Sequence, residues 1–167
     1  RRDSTSSASY TYNVVPQGNE PPPPPPTGTP LALDTTLSAS LDVAGEQDRY
    51  AFTLLSDSRL YFDSQTNSSN FLWSLAGPAG TLVSGRTFTS SDAVDIANPV
   101  VGLAAGNYVL TVDAVGGVTG NYQFRLLDLA SALVVAPGTP VGGDLTPANE
   151  TDLFRFEATA GERFFFD

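Results

Sequence analysis

The sequence predicts an all-β protein, an antiparallel β-sandwich of the jelly-roll kind, with one complete module followed by the first strands of a second copy. Three observations predict it. Short runs of alternating apolar and polar residues recur at a spacing of about 8–12 residues, with turn residues between them. No stretch carries the period of a helix. The chain also matches itself after a shift of 104 positions, which sets Leu41 on Leu145 and Asp63 on Asp167.

Residues 1–15 open with a polar stretch and then Ser9-Tyr10-Thr11-Tyr12-Asn13-Val14-Val15. That alternation reads as a strand, and as the last strand of a preceding module. Residues 16–31 are a linker built on the uninterrupted run Pro21 to Pro26. Prolines donate no backbone hydrogen bonds, so this run forms a stiff polyproline II rod of about 3.1 Å per residue. It is a spacer, or a ligand for a proline-recognition domain. Residues 32–129 form the complete sandwich, and residues 130–167 the start of the second, truncated repeat. The chain has no Met and ends after Phe164-Phe165-Phe166, so both ends are expected to be cuts in a longer polypeptide.

Within the sandwich, Leu37 to Leu41 alternates. Tyr50, Phe52 and Leu54 share one face of the next strand, as period two requires. Leu60 and Phe62 follow the turn Ser56-Asp57-Ser58. Phe71 to Leu75 is ended by Gly77-Pro78-Ala79-Gly80, and Leu82-Val83 and Ala93 to Ile96 are shorter strands. The glycine-flanked segment Gly102 to Gly106 leads into Tyr108 to Val112, and Tyr122 to Leu126 closes the unit.

The shift of 104 needs no gap. It pairs Ala44 with Ala148, Glu46 with Glu150, Asp48 with Asp152, Phe52 with Phe156, Arg59 with Arg163 and Phe62 with Phe166. A period of this length means separate modules in tandem, since solenoid repeats run about 20–50 residues. The second copy carries Leu153, Phe154, Phe156 and Phe164 to Phe166 with too little chain to enclose them. It is expected to pack on the first module or a neighbouring chain, or to stay disordered.

Composition narrows the chemistry. The chain contains no His, Cys, Met or Lys; its eight basic residues are all Arg. The commonest general base, the thiol nucleophile, the zinc ligands and the Schiff-base amine are therefore absent. Paired carboxylates run glycoside hydrolysis, but the eighteen acidic residues sit in no such motif. The chain is read as not an enzyme, with no certain cofactor. A net charge of −10 repels phosphate and anionic lipid, so neither nucleic acid nor a membrane surface is a partner. No apolar run approaches the length that spans a bilayer.

Asp48-Arg49-Tyr50-Ala51-Phe52 with Arg59-Leu60-Tyr61-Phe62, and Asp152-Leu153-Phe154-Arg155-Phe156 with Arg163-Phe164, resemble the opening of bacterial pre-peptidase C-terminal domains. Leu75-Ala76-Gly77-Pro78, Ala105-Gly106-Asn107-Tyr108 and Gly120-Asn121-Tyr122 are similar to that family's later turn and strands. The resemblance implies a jelly-roll-like sandwich appended to secreted or cell-surface bacterial proteins, including proteases and adhesins. In related clostridial collagen-binding domains, acidic residues near the start of the module hold calcium.

Only oxygen ligands are available, which favours calcium or magnesium. The metal candidates are Asp42, Glu46, Asp48, Asp63, Glu150 and Asp152; the alternative is that Asp48 and Asp152 cap turns through backbone amides. Asp92 and Asp95 are solvated edge charges or a metal site. Trp73 shares its face with Phe71 and Leu75, so it is a core residue or an exposed sugar platform. Asn67-Ser68-Ser69 and Asn149-Glu150-Thr151 match the glycosylation sequon.

Three functions fit. The first is a structural or adhesion module, calcium-stabilised or not, whose partners are neighbouring modules of the same polypeptide. The second is a binder of polysaccharide or matrix protein, which requires an exposed aromatic row. The third is self-association by strand exchange through residues 9–15 and 137–167.

Overall fold

The computed structural model describes residues 9–16, 18, 24–92 and 95–166. Among these described residues eleven strands run in chain order: β1 (Thr29–Pro30), β2 (Leu37–Leu41), β3 (Asp48–Leu54), β4 (Ser58–Ser64), β5 (Phe71–Gly77), β6 (Gly80–Thr87), β7 (Val100–Leu103), β8 (Gly106–Ala114), β9 (Gly120–Asp128), β10 (Leu133–Val134) and β11 (Phe154–Arg155). One sheet has the order β1-β3-β8-β5-β6 and the other β2-β9-β4-β7; β10 pairs with β11 alone. The two sheets pack as a β-sandwich. Pairing is antiparallel except between β1 and β3 and between β10 and β11. Among the described residues no helix is long and apolar enough to cross a membrane.

Alternation selects the core. Tyr50, Phe52 and Leu54 from β3, Phe71, Trp73 and Leu75 from β5, and Tyr122, Phe124 and Leu126 from β9 all face inward. Phe62 sits at the centre. Its ring stacks on Trp73 of the opposite sheet at 4.3 Å and 5°, and on Phe124 at 4.9 Å and 16°. Phe88 meets Phe62 edge-on at 5.2 Å. Trp73 is therefore a core residue. Its indole N–H donates to Ser91 Oγ at 2.7 Å, and that hydroxyl donates to the Thr87 carbonyl at 2.8 Å, so the buried polar tip is satisfied.

Tyr108 stacks on Phe52 at 5.3 Å, and its hydroxyl donates to the Ala104 carbonyl at 2.7 Å. Gly77 lies under this ring so closely that a Cβ there would stand 2.2 Å from it. At the other end of the core, Tyr122 donates to Asp48 Oδ2 and shares a short hydrogen bond with Tyr50. Each phenol has one proton, so Tyr50 donates to Tyr122 while Tyr122 donates to Asp48. Burial, and for Tyr122 also the bond to Asp48, push both phenols up from their ordinary value.

Several boundaries differ from the sequence reading. Thr29 and Pro30 pair with Tyr50 and Ala51 and Leu31 is buried, so the sandwich begins inside the stretch read as linker. Pro30 hid that strand, because a proline at a sheet edge costs no ladder bond. Residues 9–16 form no strand; Tyr10 and Tyr12 are exposed and stack on each other at 6.0 Å. Asp95 and Ile96 both donate to the Asp92 carbonyl in a turn, not a strand, while Ala93 and Val94 lie outside the described residues. Pro21 to Pro23 and Asp167 also lie outside them.

The shift of 104 reappears in the backbone. Leu133 and Val134 pair with Phe154 and Arg155, each 104 positions after Thr29 and Pro30 with Tyr50 and Ala51. The bond from Val135 N to Arg155 O repeats that from Leu31 N to Ala51 O. In the turn before β3, Glu46 N bonds Val43 O; Glu150 N bonds Pro147 O. Each glutamate also caps its own turn, Glu46 Oε2 accepting from Asp42 N at 2.6 Å and Glu150 Oε2 from Thr146 N at 3.0 Å.

Two substitutions test this core. Phe62→Ala removes the ring stacked between the sheets and should lower stability by about 3–5 kcal/mol. Gly77→Ala should cost about 1–3 kcal/mol by overpacking, because Tyr108 is held by Phe52 and Ala104 and cannot yield. Urea unfolding measures both, and a cost below about 0.5 kcal/mol for either would contradict the packing described.

Candidate functional site

Period two places Tyr61 and Asp63 of β4, and Arg125 and Leu127 of β9, on the outer face of the four-stranded sheet. Such a face ordinarily meets water. Here Tyr61, Asp63 and Leu127 are all buried, yet Tyr61, Asp63 and Leu127 stand apart from the aromatic core. The cover is the chain itself, which returns after β10 and lays Asn149–Thr151 across this face.

The contact is polar. Asp63 and Arg125 are direct cross-strand neighbours. Arg125 Nε donates to Asp63 Oδ2 at 2.7 Å, and Nη2 lies 2.7 Å from the same oxygen. Nη1 reaches Glu150 Oε1 at 2.6 Å, and Nη2 also donates to the Thr151 carbonyl at 3.0 Å. Every guanidinium nitrogen is thereby engaged. Thr151 N donates to Asp63 Oδ1 at 3.0 Å, and Gln65 Nε2 to Oδ2 at 3.3 Å. Asn149 Nδ2 donates to the Ser64 carbonyl. The Tyr61 hydroxyl lies 3.2 Å from Thr151 Oγ1 and donates to Asp92 Oδ1 at 3.4 Å.

A fully buried carboxylate is costly unless paired. Burial pushes Asp63 above the usual carboxylate range, with the Arg125 guanidinium opposing that shift. Asp92 is raised as well, first by burial and then by the charge of Asp63.

The metal candidates disperse. Asp42 is exposed at the turn before β3. Glu46 Oε2 accepts from the amides of Asp42 and Val43. Asp48 accepts from the Tyr122 phenol, and the amides of this turn go to Glu46. Asp63 and Glu150 have a guanidinium between them where a cation would sit. Asp152 is exposed beside Gly143. Among the described residues no group of three or more acidic side chains is placed to hold a metal ion. This donor set does not fit a calcium cage.

Of the sequence candidates, the site retains Asp63 and Glu150 and adds Arg125, Tyr61, Asn149 and Thr151. The second sequon is thus part of the contact. One signal pointed here. Leu60-Tyr61-Phe62 and Leu126-Leu127 are consecutive apolar residues, the mark of strands covered on both faces. Elsewhere on the same sheet, Ser38, Ser40, Thr66, Asn121 and Gln123 line an open groove of about 520 Å³. Apart from the buried Tyr122, no aromatic lines it.

No protein-family model matches the chain, and no curated protein does. Solved structures do. PliG of Salmonella Typhimurium, a periplasmic inhibitor of g-type lysozyme, is 16% identical over 60% of this chain and 96% of its own, with a TM-score of 0.47. The pre-peptidase C-terminal domain of a Bacillus anthracis collagenase is 18% identical over 65% of this chain and 99% of its own, with a TM-score of 0.47. A mutant of the Escherichia coli PliG is 14% identical over 61% of this chain and 99% of its own, with a TM-score of 0.45.

Replacing Arg125 by Leu leaves the Asp63 charge buried without its partner. It should cost about 3–5 kcal/mol in urea unfolding, well above the cost of Glu150→Gln at the rim. Equal costs would contradict the central place of Asp63. Raised folded-state values for Asp63 and Asp92 mean that the native chain binds protons more tightly than the unfolded chain. Their contribution to stability therefore falls as pH rises from the ordinary carboxylate value, about 3.9, through the raised values, and is flat above them. Asp92→Asn should flatten this slope; an unchanged slope would contradict the assignment.

Proposed function

We propose that this chain is a structural module that spaces and orients the domains of a large exported protein, each sandwich joined to the next by a docked turn. The carrying observation is the seating of Asn149–Thr151 on the outer face of β4 and β9 through Arg125. The backbone bonds that recur after 104 positions support reading residues 133–166 as the opening of a second sandwich. Under that reading, the docked turn is the entry to the next module. Its position relative to the first is then fixed by hydrogen bonds, not left to a free linker.

The absence of His, Cys and Lys supports a role without catalysis. Export rests on the motif resemblance. Two observations favour the structural reading over polysaccharide binding: Trp73 is in the core, and the open groove carries no exposed aromatic side chain.

Thr151→Pro tests the joint, since proline removes the N–H that Asp63 accepts. In limited proteolysis, cleavage between residues 136 and 153 should become at least about tenfold faster, while β3, β5 and β9 stay resistant. Cleavage at the wild-type rate would contradict a docked joint.

A further inference from the structure

The turn that docks has a twin that does not. Asp42–Gln47 precedes β3 as Thr146–Thr151 precedes β11, and the two share their internal bonds. Val43 O and Pro147 O accept from the glutamate amide, and the glutamate Oε2 caps the first residue of its turn. In the second turn this leaves Glu150 Oε1 free to meet Arg125 at 2.6 Å. In the first turn Glu46 Oε1 has no partner among the described residues, and Asp42, Val43, Ala44, Gly45 and Gln47 are exposed around it.

We propose that Asp42–Gln47 is a docking surface, and that its partner is another sandwich of this same kind. That partner presents an Asp–Arg pair on the outer face of its four-stranded sheet, as Asp63 and Arg125 do here. The proposal rests on the docking reading above and extends it to a second surface.

The chemistry transfers residue by residue. Thr151 gives Asp63 and Arg125 only its backbone N–H and carbonyl, which Gln47 also possesses. Glu46 supplies the carboxylate oxygen that Glu150 supplies. Two contacts are missing: the Asn149 amide on the Ser64 carbonyl, where Gly45 stands in its place, and the Thr151 hydroxyl beside Tyr61, where Gln47 stands. The first turn therefore binds the socket more weakly than the second, and in the intact chain the socket is already filled from within. Because the turn and the socket are different surfaces of one module, their contact is heterologous. It continues head to tail, into a ring or an open filament, and does not pair one patch with itself across a two-fold axis.

The test is sedimentation of the full chain carrying Asn149→Ala and Thr151→Pro, which empties the socket but leaves Asp63 and Arg125 in place. Near-UV circular dichroism of the buried Trp73 checks that the sandwich is intact. Between about ten micromolar and about one millimolar, species larger than a dimer should grow with concentration. Adding Glu46→Ala should weaken that association at least about tenfold, a loss of about 1.4 kcal/mol. A monomer throughout would overturn the proposal, as would association indifferent to Glu46, which would point to the exposed rings of Phe165 and Phe166. If residues 136–153 stay protease-resistant in the double variant, the docked joint itself fails and this proposal with it.

Discussion

A carboxylate shut away from water must find its counter-charge and its hydrogen bonds inside the protein. Asp63 is such a group, and much of the architecture outside the core answers to it. Arg125 faces it across the β4–β9 ladder, Gln65 and the Thr151 amide complete its shell, and Glu150 takes the remaining arm of the guanidinium. Of these four residues, Glu150 and Thr151 come from far along the chain, and Glu150 acts on Asp63 only through Arg125. The sandwich could form its aromatic core without them, but the charge pair would then face solvent. Closing the face with Asn149–Thr151 converts an ordinary surface salt bridge, worth little, into a buried network in which each member requires the others.

The two faces of the four-stranded sheet thus carry different kinds of energy. On the inner face, Phe62, Trp73 and Phe124 stack, and their contribution is area removed from water. On the outer face, charge and hydrogen bonds fix direction and register. The split suits the joint between modules proposed above. Apolar burial is tolerant of small shifts, whereas three guanidinium nitrogens matched to set acceptors admit one arrangement. The aromatic side chains of the second segment take no part in the joint: Phe154, Phe156 and Phe164 to Phe166 remain exposed, and the docking is made by polar neighbours instead.

Much of the inner face was legible in the sequence. Period-two runs at Tyr50-Phe52-Leu54, Phe71-Trp73-Leu75 and Tyr122-Phe124-Leu126 named three central strands and the core residues on each. The strand at Val100–Leu103 was missed because Gly102 interrupts its pattern, and β1 because proline argues against a strand. The outer face was harder for a physical reason. Alternation assigns every second residue to solvent, so Arg125 read as one of several scattered basic residues and Asp63 as a free carboxylate suited to calcium. Nothing local tells a charged outward residue that another part of the chain will cover it. The 104-position match was read from side chains, but the parallel pairing that recurs at the same offset involves Leu133 and Val134, which share no side-chain type with Thr29 and Pro30.

The most direct measurement is hydrogen exchange of the Thr151 amide in the full-length chain. If its N–H is held by the buried Asp63 carboxylate, it should exchange orders of magnitude more slowly than a free peptide amide, with protection approaching that of the β9 amides. Exchange at the free-peptide rate, with β9 still protected, would show that the outer face is open and that Asp63 and Arg125 meet water.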